Sequence, residues 1–201
     1  MNIKNEDFYV RPTLEVAKDL IGCQLVVDSE SYNEIIATIT EVEAYLGQDD
    51  PASHAYRGPT KRSSVMFDTG GRTYVYRSYG VHFCMNIVTE SRGVAGAVLL
   101  RSANVEKGWN VIKNRRRENG RKELAYDRLL SGPGTLCLGC GITLMDNNLS
   151  VCDAISRIKI ADRVSNPSIV SDIRIGISNA KESMYRFLWY GHRSLSKQKI
   201  L

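Results

Sequence analysis

The chain has 201 residues, 43% of them hydrophobic, enough to build one packed domain of ordinary size, 1–201. Lys and Arg number 27 against 22 Asp and Glu, a formal net charge of +5 that favours an anionic partner. The opening MNIKNEDFYVRPTLEV lacks an apolar run of signal-peptide length, and nowhere do about 18 apolar residues run together as a membrane span requires, so a cytoplasmic protein with no membrane partner is expected.

Thr13 is positioned to cap a first helix, in which Leu14, Ala17, Leu20 and Ile21 recur at helical spacing until Gly22 stops it. QLVVD and EIIATITEVEAYL then read as two strands of a hairpin around the polar turn DSESYN. Unbroken alternation along the second strand would put Ile35, Ala37, Ile39, Glu41, Glu43 and Tyr45 on one face, so that the two acids share it with apolar residues. From Gly47 to Arg72 the chain is rich in Gly, Pro, Ser, Asp and Arg, the composition of a long ordered loop, and it carries His54.

RTYVYRSYGVHFCMNIV reads as a hairpin with Ser78, Tyr79 and Gly80 at its connection, which exposes Tyr79 at the tip. Tyr74 and Tyr76 share a face of one arm, and His82, Cys84 and Asn86 share a face of the other. GAVLLRS is a short buried strand ending in Arg101. Residues 105–130 read as helix, with Val105, Trp109, Ile112 and Leu129 available to the core, and Lys107, Lys113, Arg115, Arg116, Arg117, Arg121 and Lys122 on a basic face that is either solvated surface or an anion contact. SGPG breaks that helix, Thr135 starts another, and the Asn pair at 147 and 148 marks a turn. RIKIADRV, DIRIGIS and YRFLWYG are three closing β-prone stretches.

The five cysteines are scattered, as suits reduced thiols; Cys137 and Cys140 form a CxxC without a second pair or nearby histidine, so a buried helix pair is favoured over a metal or redox role. Glu41 and Glu43 on residue type alone are as compatible with solvated strand positions as with chemistry. Their company argues for chemistry: Tyr45, Tyr74, Tyr76 and Tyr79 flank the loop, and aromatic faces with basic residues suit a site that stacks bases and holds phosphate.

Taken together, EVEAYLGQDDPASHAYRG, MFDTGGRTYVYRSYGVHFCMNIV, AVLLRS, SGPGTLC and IRIGIS with YRF resemble the alkyladenine (3-methyladenine, methylpurine) DNA glycosylases over most of residues 8–190. The resemblance implies a single α+β domain, a curved and mainly antiparallel, barrel-like sheet with peripheral helices. It further implies a monomeric, monofunctional glycosylase of base excision repair, acting on double-stranded DNA with damaged purines and, in a bacterium, associated with the nucleoid. No metal or cofactor is implied. Glu43 matches the base that activates water, with Glu41 in support, and Arg101 matches the cation beside it. Tyr45, His54 and Tyr76 match base-stacking residues, Asn86 the residue that crowds the exocyclic amine of guanine, and Tyr79 the wedge that fills the vacated stack. Arg57, Lys61 and Arg62 are candidate phosphate contacts. The chain departs from the family pattern at Arg77, where relatives carry an apolar residue, and at WYGHRSLS, so no role transfers to His192, Arg193 or Ser194.

Two other classes fit part of the pattern. A non-catalytic damaged-DNA-binding module explains the basic residues and tyrosines but not a carboxylate in an anion-binding pocket. A free purine nucleoside hydrolase needs Glu43 and the aromatics but neither Tyr79 nor the basic surface.

Overall fold

The computed structural model describes residues 2–120 and 125–197. Arg121 and Lys122, two of the expected basic helix residues, lie outside the described residues. Two short helices open the chain, α1 (Glu6–Tyr9) and α2 (Thr13–Leu20). Thr13 is the first helical residue and Pro12 the cap, because the Thr13 hydroxyl is engaged elsewhere, with Thr89 at 2.8 Å and Glu90 at 2.8 Å. Strands β1 (Cys23–Val27) and β2 (Ile35–Leu46) form the expected hairpin. The long loop leads to β3 (Thr73–Ser78) and β4 (His82–Val88), the second hairpin.

β5 (Gly96–Lys107) runs past Arg101 to Lys107, and only then does α3 (Trp109–Glu118) begin. The helix expected from 105 is therefore shorter than its apolar spacing suggests. Residues 103–107 are claimed by antiparallel pairing with Ile36–Ile39, a long-range interaction that helical periodicity cannot register. Gly108 sets the boundary: its φ is +86°, and a Cβ there would lie 2.4 Å from the Glu34 carbonyl oxygen. Trp109 is half-exposed, whereas Ile112, Val105 and Leu129 do reach the core.

The basic face is largely spoken for. Lys107 ion-pairs with Glu34, Arg115 donates to the Gly139 carbonyl at 3.3 Å, and buried Arg116 donates to the carbonyls of Arg128 and Leu129. α4 (Pro133–Cys140) follows, with proline at its first turn. It buries Cys137 and Cys140 in the main core, where burial pushes the Cys140 thiol up to about 12, far from the thiolate that metal or redox chemistry needs.

β6 (Ile158–Arg163), β7 (Ile169–Asp172) and β8 (Arg186–Trp189) complete the fold. DIRIGIS is not a strand: β7 ends at its first residue, and residues 173–178 form a loop with Gly176 at φ +78°.

All pairings are antiparallel, in the order β3-β4-β5-β2-β1-β6, with β8 on β2 and β7 on β8. The sheet is curved, mainly antiparallel and α+β in class, and it stays open, since β3 and β6 are edges that do not meet. β2 is its spine: β5 pairs along one side, while β1 takes the first half of the other side and β8 the second. Among the described residues no helix is long and apolar enough to cross a membrane.

A register irregularity at the middle of β2 positions the site. Ile39 pairs with Ala103, Glu41 with Ser102 and Val42 with Leu100, so Thr40 is extra on one strand and Arg101 on the other. The core side switches there in both strands. Ile35, Ala37 and Ile39 face the main core, then Val42 and Ala44; Val98 and Leu100 face it, then Ala103 and Val105. The unbroken alternation expected for β2 is therefore corrected. Past the bulge Glu43 and Tyr45 turn away from the apolar core, to the same side as Arg101.

Candidate active site

That side is a cleft of about 530 Å3, of the size that takes a small ligand. Its floor comes from β2 and β5 (Glu43, Tyr45, Leu99, Arg101), one wall from the second hairpin (Tyr74, Tyr76, Cys84, Asn86), and its rim from the long loop (His54, Arg62) and residues 175–179. The loop holds its shape because Ala55 and Met66 pack under it with Tyr74 and Val88, and because buried Asp50 binds Arg174 at 2.8 Å. The structure thus brings Glu43, Tyr45, His54, Arg62, Tyr76, Tyr79, Asn86 and Arg101 to one cavity, and leaves Arg57 and Lys61 exposed on the loop outside it.

Hydrogen bonding separates the two acids. Glu41, fully buried, is surrounded by donors: Arg101 Nε at 3.0 Å, Arg186 Nη1 at 3.1 Å, the Ser196 amide at 2.6 Å and hydroxyl at 2.8 Å, and the Ser102 hydroxyl at 3.2 Å. Burial alone would raise its pKa, but the Arg101 guanidinium and the Ser196 and Arg186 hydrogen bonds outweigh it and hold the carboxyl below its ordinary range. Every lone pair is taken, so Glu41 is an anchor.

Glu43 differs. Its Oε1 receives the Ile175 amide at 2.7 Å and Arg101 Nη1 at 3.1 Å, while among the described residues Oε2 receives only the Tyr45 hydroxyl, at 2.8 Å. A carboxylate oxygen carries two lone pairs, so Oε2 keeps one that no donor among the described residues occupies. Burial, and then the neighbouring Glu43 charge, raise the Tyr45 pKa far above its ordinary value, which keeps that hydroxyl a donor. Arg101 bridges both acids; burial works against its charge, but the two carboxylates outweigh it and raise its pKa.

The aromatic walls are arranged for a flat ring. Tyr74 and Tyr76 lie 5.5 Å apart and tilted, and His54 stands edge-on to Tyr76 at 4.7 Å. The Arg174 guanidinium covers one face of Tyr45 at 4.7 Å, and Tyr45 lines the cleft. Asn86 is buried and oriented by its Nδ2 donating to the Tyr74 carbonyl at 3.0 Å. His54 lines the cavity at its rim, exposed to solvent, with Nδ1 2.9 Å from the Tyr74 hydroxyl. Burial, then the Arg62 charge, lower its pKa from 6.5 to about 4.

A histidine depressed in this way favours the neutral ring: its contribution to stability is full above pH 6.5 and is lost as pH falls toward about 4. An NMR titration of the imidazole is expected to show its midpoint near pH 4; a midpoint near 6.5 would mean a solvated ring.

Residues 173–196 contribute more than their sequence suggested. Backbone donors such as the Ile175 amide leave no side-chain signature, and Gly176 was the only hint that DIRIGIS bends into a loop. Arg186, in YRF, joins Glu41 to Asp172 and to the Ile173 carbonyl. Ser196 lies just past the family-like segment, and the buried Leu195 beside it is held by its carbonyl, which accepts from Arg128 and Ser131. Ser196→Ala removes a hydroxyl bonded to Glu41 and Arg101 and is expected to lower unfolding stability by about 1.5 kcal/mol, the size of a charge-assisted hydrogen bond. Urea denaturation measures this, and an unchanged midpoint would show that the tail does not anchor Glu41.

A buried carboxylate gripped by arginine under an aromatic cleft, with an exposed tyrosine on a hairpin beside it, makes this cleft the candidate active site of an enzyme. The wider comparison gives the class its family. A profile of methylpurine-DNA glycosylase matches residues 7–193, and the chain belongs to that family. It is 42% identical over 192 residues to a Carboxydothermus hydrogenoformans protein named "Putative 3-methyladenine DNA glycosylase", covering 95% of this chain and 97% of that one. Proteins of the same name from Methanoculleus marisnigri (40% identical; 95% of this chain, 97% of the relative) and Rhodopseudomonas palustris (42%; 94% and 86%) match similarly. The chain is therefore a DNA glycosylase of the DNA-repair type, an N-glycosidic hydrolase whose substrate is DNA.

Proposed function

We propose that this protein excises alkylated or deaminated purines, such as 3-methyladenine, 7-methylguanine, hypoxanthine and ethenoadenine, from double-stranded DNA. The base is flipped into the cleft and released by a water that Glu43 activates. The observation that carries this reading is Glu43, which lines a cavity walled by Tyr45, His54 and Tyr76 and whose Oε2 has, among the described residues, the Tyr45 hydroxyl as its one donor.

Water approaches the anomeric carbon and passes a proton to Oε2; the carbon–oxygen bond forms as the bond from carbon to the purine nitrogen breaks. An N-alkylated purine carries positive charge and departs neutral, so one carboxylate suffices. Hypoxanthine needs a proton as it leaves. Arg101 and the Ile175 amide keep Glu43 in one rotamer, and the spent carboxylic acid returns its proton to solvent.

Stacking a cationic purine on Tyr45, His54 and Tyr76 adds about 0.5–2 kcal/mol over a neutral ring. A neutral His54 introduces no charge to oppose it. Asn86, held by the Tyr74 carbonyl, crowds the position of guanine's exocyclic amine.

Tyr79 is 90% exposed, with its backbone at φ +49°. A large ring in that conformation at a solvated tip stabilises nothing in the free protein, and a wedge that replaces the flipped base accounts for it. Arg57 and Lys61, exposed on the loop, are suited to the flanking phosphates. In this reading water and not a protein amine is the nucleophile, so the protein acts as a monofunctional glycosylase, a monomer without a strand-cleaving lyase step.

The test compares free inosine with inosine in duplex DNA and assays the duplex for alkali-labile strand scission. Release from the duplex alone is the expected result. Equal release from free inosine would favour a nucleoside hydrolase, and binding without scission a mere binding module.

A further inference from the structure

Two guanidinium groups lie on aromatic rings of the cleft, and they differ in kind. Arg174, over Tyr45, is fully buried and paired with Asp50, a fixed part of the wall. Arg62 reaches in from the rim: its guanidinium carbon sits 4.8 Å from the Tyr76 ring centroid. Among the described residues no carboxylate pairs with it.

The backbone that carries Arg62 is firmly held. Ser63 is buried, its hydroxyl accepts from the Thr60 amide at 3.0 Å, the Thr60 hydroxyl accepts from the Ser63 amide at 3.1 Å, and the Ser64 amide donates to the Thr60 carbonyl at 2.8 Å. The Arg62 side chain itself is exposed.

A guanidinium is a flat, delocalised cation of the kind that stacks on tyrosine, and so is an N-alkylated purine. We propose that Arg62 is a specificity-determining residue that rests on Tyr76 in the free protein, opposes entry of positively charged purines by like charge, and donates to the ring acceptors of neutral ones. This rests on reading the cleft as a purine pocket, and it gives Arg62 a role distinct from the phosphate contact suggested by its place among the loop's basic residues. A cation with a carboxylate partner would be largely neutralised; Arg62 has none among the described residues, so its charge, screened by solvent, acts on the ligand.

The experiment measures single-turnover base release by wild-type protein and by Arg62→Gln and Arg62→Lys, from matched duplexes holding one 7-methylguanine, which is cationic, or one hypoxanthine, which is neutral. For Arg62→Gln the ratio of methylguanine to hypoxanthine rates is expected to rise about tenfold, the scale of one screened like-charge contact. Arg62→Lys retains charge but not the flat face, and is expected to stay within about threefold of wild type in that ratio. A phosphate ligand instead predicts that both rates fall by the same factor for Arg62→Gln, with a shallower salt dependence of binding, and that result overturns the proposal. If wild-type protein releases both bases and the ratio does not change, Arg62 has no part in selection although the purine-pocket reading stands. Wild-type protein that releases neither base overturns both.

Discussion

Replacing Glu43 by glutamine is expected to lower single-turnover base release by about 10²–10⁴-fold, while affinity for the damaged duplex stays within a few-fold of wild type. The amide has the volume of the acid, so the buried site does not collapse. Its oxygen still accepts from the Ile175 amide, and the Tyr45 hydroxyl reorients to accept from the new NH2 group. Arg101 keeps Glu41 as a partner at 3.0 Å. The basic lone pair facing the cleft is what disappears. Tyr79, Arg57 and Lys61, which hold DNA in this account, are untouched. Fluorescence anisotropy on a labelled duplex separates binding from release, and a variant that loses both would assign Glu43 a structural role.

Arg101→Ala carries the largest expected effect on stability, a loss of about 3–5 kcal/mol, as is typical when a buried ion pair loses one partner. For a domain of this size that corresponds to a fall in Tm of about 10 °C. The guanidinium lies between two fully buried carboxylates, at 3.0 Å from Glu41 and 3.1 Å from Glu43.

Without it the pair repels, and one acid takes up a proton in the folded state. The sign of the pH dependence follows. In wild type the lowered Glu41 pKa contributes stability above the ordinary carboxyl range, which is lost as pH falls. In the variant a raised carboxyl pKa contributes stability at low pH, which is lost as pH rises. The deficit relative to wild type should therefore shrink on acidification. Urea unfolding at neutral and mildly acidic pH measures it, and a deficit independent of pH would contradict the bridging role.

Local features of this fold were readable from sequence where the causes are local. The second hairpin with Tyr79 at its tip, the helix that Gly22 ends, and the strand ending in EVEAYLG each follow from periodicity and turn chemistry within one segment. The bulge at Thr40 and Arg101 does not, because it is a property of two strands 60 residues apart in register, and either strand alone reads as regular alternation.

That bulge turns Glu41, Glu43 and Tyr45 away from the apolar core, while the donors that close in Glu41 come from Ser102, Arg186 and Ser196. The helix expected from 105 failed for a related reason. Val105, Trp109 and Ile112 satisfy helical spacing, yet pairing with β2 holds the first of them in a strand. The site was legible in its side chains and not in its backbone. Glu43, Tyr45, His54, Tyr76, Asn86 and Arg101 line one cleft, but the Ile175 amide and the Ser196 tail were invisible because a turn and a distant segment supply them.

The central claim is that water, activated by Glu43, is the nucleophile. Chromatography of a single-turnover reaction on a hypoxanthine duplex, run with and without borohydride and sampled before alkali, tests it most directly. The account predicts free hypoxanthine, a strand that stays intact until alkali is added, and no protein–DNA adduct trapped by borohydride. A strand already broken before alkali, or a trapped covalent adduct, would mean that an amine of the protein does the work assigned here to water.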